Sequence, residues 1–181
     1  MNNIRTAVFI DSGNLWSIYR KEKRKIDFQK LKDFFVNRYG NMLDFNYYAS
    51  YPRKDTRSFD VVPIHDFFTY LKKGLEFNVV NKALKQIKIY TDIGDGVKEK
   101  GNMDVEIAVD IMKSLQDQDL IVLLSGDSDF LYLINYIKNI GKAVHVYSSI
   151  NSISYELRYG ANKYYDIVNI KSVWADKLAK R

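Results

Sequence analysis

The chain contains no cysteine, which excludes disulfides and thiolate metal sites. Its two histidines, His65 and His145, are too few for a histidine-built metal site. Any metal would need oxygen ligands, which favours magnesium or manganese over zinc. No apolar run approaches the ~20 residues of a membrane span, and Met1–Arg5 lacks a charged-then-apolar leader pattern. A cytoplasmic protein without a membrane partner is therefore expected. Repeats, linkers and low-complexity segments are also missing. The 181 residues suffice for a full core, so residues 1–181 are read as a single domain. The net charge of +6 is a mild basic excess. It suits a polyanionic partner if acids prove to cluster in one place.

What is present is organised around Leu120-Ile121-Val122-Leu123-Leu124-Ser125-Gly126-Asp127-Ser128-Asp129-Phe130. Five apolar residues without a polar break predict a strand buried on both faces, as in a helix-covered parallel sheet. Phe130, Leu133, Ile134, Ile137 and Ile140 then recur at helical spacing. Asp127 and Asp129 thus sit where a central strand hands over to a helix. In an open α/β sheet that rim is where ligands bind.

The same grammar occurs near the start. Ala7-Val8-Phe9-Ile10 is apolar and ends in Asp11-Ser12-Gly13-Asn14, ahead of a helical pattern. A turn with Asn14 as helix cap would account for the asparagine but less well for Asp11. A basic cluster, Arg20-Lys21-Glu22-Lys23-Arg24-Lys25, closes that helix. Asp27 is expected to cap a second helix with Phe28, Leu31, Phe34, Phe35 and Tyr39 inward, ended by Gly40. Leu43–Tyr51 reads as the second strand. A basic loop with Arg53 and Arg57 follows, then a helix over Asp60–Lys73 with Pro63 in its first turn. Phe77–Val80 is the third strand, and Gln86–Thr91 an extra strand or ribbon. Asp92–Asn102, with three glycines, is expected to be a structureless loop of functional interest. Met103–Leu115 is a helix, expected to bury Val105, Ala108, Val109, Ile111, Met112 and Leu115, with Asp104 in its first turn. Strands at Ala143–Tyr147 and Tyr164–Val168 and a closing helix over Ile170–Arg181 complete the chain.

Strand and helix alternate, which predicts an α/β fold: a mostly parallel, Rossmannoid central sheet with helices on both faces. All such strands end on one edge. Asp11, Asp104, Asp127 and Asp129 therefore reach the same rim, and a strand order 3-2-1-4-5 would set Asp11 beside the later pair. Four carboxylates in one crevice repel unless a proton or cation intervenes. The expected cofactor is one or two Mg²⁺ or Mn²⁺ ions held by these four aspartates, which suits phosphoryl chemistry. Asn14 would hold a water or a phosphate oxygen. Lys98 and Lys100 are candidates to steady a substrate phosphate, and Arg20, Lys21, Arg24, Arg53 and Arg57 to track a phosphate backbone.

Phe9-Ile10-Asp11-Ser12-Gly13-Asn14, Lys100-Gly101-Asn102-Met103-Asp104-Val105 with Ala108-Val109-Asp110, Leu124-Ser125-Gly126-Asp127-Ser128-Asp129-Phe130 and Gly141-Lys142-Ala143-Val144 together resemble the NYN domain. This is a branch of the PIN-like ribonuclease fold, and the LabA-like group is the nearest match, in order and spacing over about residues 5–170. The resemblance implies a PIN-like sheet, Mg²⁺ or Mn²⁺, and endonucleolytic cleavage of RNA leaving a 5′-phosphate and a 3′-hydroxyl. Its acidic positions fall on Asp11, Asp104, Asp127 and Asp129, and its asparagine on Asn14. Two departures stand out: Ser12-Gly13 in the first motif, and Ala161-Asn162-Lys163-Tyr164 where an Ala-Asp-x-Phe pattern is usual.

The leading expectation is a metal-dependent endoribonuclease with RNA, single-stranded or structured, as partner. The alternative is a non-catalytic or weakly catalytic RNA-binding regulatory module that keeps the fold. Retention of all four aspartates favours the enzyme. A phosphatase using an Asp-x-Asp pair fits less well, because its pair would follow the first strand rather than a later one. The sequence is compatible with a monomer or a homodimer.

Overall fold

The structure, a computed structural model, describes residues 4–54, 60–89 and 96–176. Its elements in chain order are β1 (Thr6–Asp11), α1 (Ser12–Glu22), α2 (Phe28–Tyr39), β2 (Leu43–Tyr51), α3 (Val62–Thr69), β3 (Asn78–Ala83), β4 (Lys85–Ile89), β5 (Gly96–Lys100), α4 (Asp104–Ser114), β6 (Leu120–Leu124), α5 (Leu131–Asn139), β7 (Ala143–Ser148), α6 (Tyr155–Gly160) and β8 (Lys163–Asp166).

Six strands form one sheet in the order β3-β2-β1-β6-β7-β8, and every neighbouring pair is parallel. The fold is therefore the expected α/β architecture. The order differs from 3-2-1-4-5 in two ways. β4 and β5 leave the sheet as a separate antiparallel hairpin, which moves the later strands on by two numbers, and β8 adds a further edge. The neighbours of β1 are those anticipated: β2 on one side and the Leu120–Leu124 strand on the other, with Ile10 opposite Leu124.

Strand alternation splits the core into two layers. Val8 and Ile10 of β1 and Val122 and Leu124 of β6 point to one face, where they meet Leu15 and Ile18 of α1, Leu31 and Phe35 of α2 and Phe68 of α3. Ala7, Phe9, Ile121 and Leu123 point to the other, against Ile107 and Ile111 of α4, Ile134 and Ile137 of α5 and Leu157 of α6. Both faces of β6 are covered, which is why its sequence is apolar without interruption.

Four expectations need correction. Within the supposed loop Asp92–Asn102, residues 96–100 are β5, paired with β4 from Ile89↔Gly96 to Lys85↔Lys100; residues 90–95 lie outside the described residues. The buried stripe of α4 is Met103, Ile107, Ile111 and Leu115, while Val105, at 72% exposure, Val109 and Met112 face outward. That helix carries apolar residues on more than one side, so its spacing left the face open, and the strands beneath it select the four-residue stripe. The helix over Asp60–Lys73 is shorter, since α3 gives way to a π-helical turn at Tyr70–Gly74. Finally, the described residues after Ile170 make a 3-10 turn, Lys171–Val173, and no longer helix. Trp174 then pairs as an antiparallel bridge with Ile26, so the segment is held as extended chain; residues 177–181 lie outside the described residues.

Candidate metal centre

Asp11 is the last residue of β1 and the cap of α1. Its Oδ1 accepts from the backbone N–H groups of Gly13 (2.9 Å) and Asn14 (3.3 Å), the usual satisfaction of free donors at a helix start. The cap is thus Asp11 and not Asn14. Its Oδ2 accepts from the hydroxyl of Ser125 at 2.9 Å, and that hydroxyl in turn accepts from the N–H of Asp127 at 3.3 Å. Ser125 is fully buried and stitches the end of β1 to the turn after β6. The Ser12-Gly13 departure is therefore accommodated in a capped helix start.

Asp127 caps the 3-10 turn Ser128–Phe130 that leads into α5, with its Oδ1 accepting from the N–H of Asp129 at 3.0 Å. Residue 126 is glycine because the loop after β7 packs directly against it. A Cβ at that position would strike the backbone carbonyl of Ser152, from the loop after β7.

Asp104 arrives from the hairpin. Gly101 packs against Ser50 and Leu84 with no room for a Cβ, which brings the end of β5 against the end of β2. Asn102 follows. Its Oδ1 accepts from the Asp104 N–H at 2.9 Å and its Nδ2 donates to the Asp104 carboxylate. Three separate segments thus converge on the β1/β6 edge, at the point where strand order reverses.

The carboxylates of Asp104, Asp127 and Asp129 each offer an oxygen within 4.8 Å of the others. Asp11 lies outside that closest set but lines, with Asp104, Asp127 and Asn14, a crevice of about 270 Å³. The acids feel one another. Burial pushes the Asp11 carboxyl above the ordinary carboxylate value against three hydrogen bonds, with the charge of Asp127 adding to it. Asp104 is raised by burial and by the charges of Asp127, Asp11 and Asp129. An all-oxygen donor set of clustered carboxylates fits a hard divalent cation.

Asn14 lines the crevice with its side-chain oxygen already engaged, accepting from the buried Ser148 hydroxyl at 3.0 Å. The amide NH₂ is then the group offered to a ligand, which suits a phosphate oxygen. Ser125, Ser148 and Asn102 were not singled out from sequence. The signal for Ser125 was a small polar residue closing an all-apolar strand, and for Asn102 its place two residues before Asp104. Ser148 gave none.

The cations separate into groups. Arg20 and Lys21 line a second crevice that shares Gly13 and Ser17 with the acidic one, and Lys21 also donates to the Asn151 carbonyl. Lys98 and Lys100 sit exposed on β5 and do not line the crevice, contrary to a flexible loop reaching into it. Arg24 stacks on the Trp174 ring at 4.6 Å. Arg53 is exposed just past β2, and Arg57 lies outside the described residues. Asp110 points away, its carboxylate accepting from Tyr48 at 3.0 Å.

A family model described as NYN domain matches residues 5–169. Over 170 residues the chain is 28% identical to the Low amplitude and bright protein LabA of Synechococcus elongatus, covering 93% of this chain and 86% of the relative. A crystal structure of a Vibrio parahaemolyticus protein of unknown function shares the fold, with a TM-score of 0.71 at 22% identity, covering 97% of this chain and 99% of that one. Among the described residues no helix is long and apolar enough to cross a membrane.

Proposed function

The chain belongs to the NYN domain family, and we propose that it is a metal-dependent endoribonuclease. The observation that carries this reading is the convergence of Asp11, Asp104, Asp127 and Asp129, from three distant segments, on the switch point of the sheet. Mg²⁺ or Mn²⁺ would be held by Asp104, Asp127 and Asp129, with Asp11 against it. Such an ion would supply charge neutralisation at the scissile phosphate and a lowered pKa for the attacking water.

The protein's own part is position and charge. Ser125, Gly13 and Asn14 lock the Asp11 carboxylate by three hydrogen bonds, so its orientation needs no adjustment when substrate arrives. Asn102 does the same for Asp104. Ser148 turns the Asn14 amide so that its NH₂ can meet a non-bridging phosphate oxygen. Attack by water on phosphorus would break the bond to the 3′-oxygen, which takes up a proton and leaves as a 3′-hydroxyl, while the phosphate stays on the 5′-oxygen of the downstream nucleotide. The basic crevice at Arg20 and Lys21 offers a path for the flanking backbone.

The test is cleavage of an end-labelled single-stranded RNA with Mn²⁺ or Mg²⁺, set against EDTA and against Asp127→Asn. Internal cuts that require metal and disappear in the variant support the reading. Bound but uncut RNA, with folded protein and metal present, would replace it with a regulatory RNA-binding module.

A further inference from the structure

Beside the acidic crevice runs a larger apolar groove, about 840 Å³ in volume, which shares Ser12, Gly13 and Ser50 with it. Its floor is aromatic. Phe28 meets Tyr47 edge-on at 5.5 Å and Phe67 at 5.4 Å, and Phe67 meets Tyr47 at 5.9 Å. At its rim stands Trp16, 60% exposed, with its ring 5.0 Å from that of Tyr19 one helical turn on. An exposed tryptophan on a helix whose buried residues are Leu15 and Ile18 contributes little to the core. Cations attend the same rings: Lys25 lies 5.8 Å from the Tyr19 ring and Arg24 lies over Trp174, which also lines the groove.

Helix α1 is the ridge between two troughs. On one side Ser17, Arg20 and Lys21 line the basic crevice; on the other Leu15, Ile18 and Tyr19 line the apolar groove; Trp16 lines both. A strand passing the carboxylates would meet cations on one flank of that ridge and aromatic rings on the other. That is the division between phosphate and base in a single strand. A pocket of this volume, mostly apolar with a few polar groups, is of ligand-binding size.

Building on the ribonuclease reading, we propose that the groove receives an unpaired nucleobase adjacent to the scissile phosphate, stacked on Trp16, so that the substrate is single-stranded RNA. A base held in a duplex cannot reach the groove without leaving its stack. Because every base presents a π-face, the selection is for unpaired chain rather than for sequence.

The experiment measures binding by fluorescence anisotropy in the Asp127→Asn background, which keeps the RNA intact. A short labelled single strand is compared with its duplex, and with a series carrying one abasic position each. Trp16→Ala is expected to weaken single-strand binding on the order of ten- to a hundred-fold, and Trp16→Phe to recover most of it. One abasic position should carry a similar penalty with Trp16 present and almost none with alanine there. Unchanged affinity in Trp16→Ala, equal abasic penalties in both backgrounds, or duplex bound as tightly as single strand would overturn the inference. If Trp16→Ala instead converts a sedimenting dimer to monomer, the groove belongs to a second copy and the inference is wrong. If RNA is cut while Trp16→Ala binds normally, only this inference falls; if RNA is neither bound nor cut, the ribonuclease reading falls with it.

Discussion

Replacing Asp104 by asparagine should stabilise the metal-free protein while removing its response to metal. Asp104, Asp127 and Asp129 offer oxygens within 4.8 Å of one another. At that separation two full charges repel by about 0.9 kcal/mol even in a water-like dielectric. Asparagine at position 104 relieves two such pairs and retains an oxygen to accept from Asn102. The net gain is about 1–2 kcal/mol, which for a chain of this size raises the melting temperature by roughly 2–8 °C. In saturating Mn²⁺ the order reverses. At a hundred times its dissociation constant a ligand stabilises by about 2.7 kcal/mol, and the variant forfeits most of that because the closest ligand set loses one member of three.

The assay is thermal unfolding of both proteins in EDTA and in Mn²⁺, repeated across pH. Asp11 and Asp104 both have folded-state values above their ordinary one. Their contribution to stability is therefore full at low pH and is lost as pH rises through the raised values. Mn²⁺ should flatten or invert that slope, since cation and proton compete for the same oxygens. A melting temperature for Asp104→Asn at or below the parent in EDTA would show that the carboxylates do not repel as placed. A Mn²⁺ shift kept in full by the variant would show that Asp104 holds no ion.

Three further outcomes follow from other parts of the fold. The Nδ1 of His145 is hydrogen-bonded with the Tyr39 hydroxyl at 2.8 Å, and burial together with Lys163 and Arg38 lowers its pKa to about 4. Stability should therefore fall as pH drops below about 6.5, by about 1 kcal/mol at pH 5 once screening at this half-exposed ring is allowed for. Urea midpoints of His145→Gln that track the parent at both pH 7 and pH 5 would refute this. Ser125→Ala removes a donor to the Asp11 carboxylate and should cost roughly 1.5–3 kcal/mol in urea unfolding, with a fall in cleavage well beyond that of an exposed control away from the site such as Ser172→Ala. Arg20→Gln with Lys21→Gln should lower the salt slope of single-strand binding by about 1.4, read from affinity at several salt concentrations; an unchanged slope would remove both from the backbone path.

The legible parts of the fold were those where one residue type had one physical reason to be there. Leu120–Leu124 is apolar throughout because both its faces are covered, and Asp27 is a cap in the chain as in the pattern, accepting from the Lys30 N–H at 3.1 Å. The inward face of α4 was not legible, because Val105, Val109 and Met112 are as apolar as Ile107 and Ile111, and only the sheet beneath decides between them. The hairpin was half seen for a similar reason. Its second strand, Gly96-Val97-Lys98-Glu99-Lys100, is mostly charged, exposed and without alternation, so Lys98 and Lys100 read as loop. The serines and the asparagine that orient the acids are short polar residues common in any turn. Their roles follow from what stands opposite them, which the order of the chain does not state.

Three of the four aspartates have a local use, and these uses explain how the site is held rather than arguing it away. Asp11 caps α1, Asp127 caps a 3-10 turn, and Asp104 closes a ring with Asn102. Serine or asparagine would cap nearly as well, and neither would raise a neighbour's pKa. Capping alone thus leaves the carboxylate, as opposed to any other short acceptor, without a reason. Charge is the remainder. Repulsion among acids on one rim costs stability in the metal-free chain, and a bound cation would offset that cost. The same turns that use one carboxylate oxygen for the backbone fix where the carboxylate stands. On the proposed reading, capping and metal binding are one arrangement: the helix starts hold the acids still, and an ion would relieve the repulsion that holding them creates.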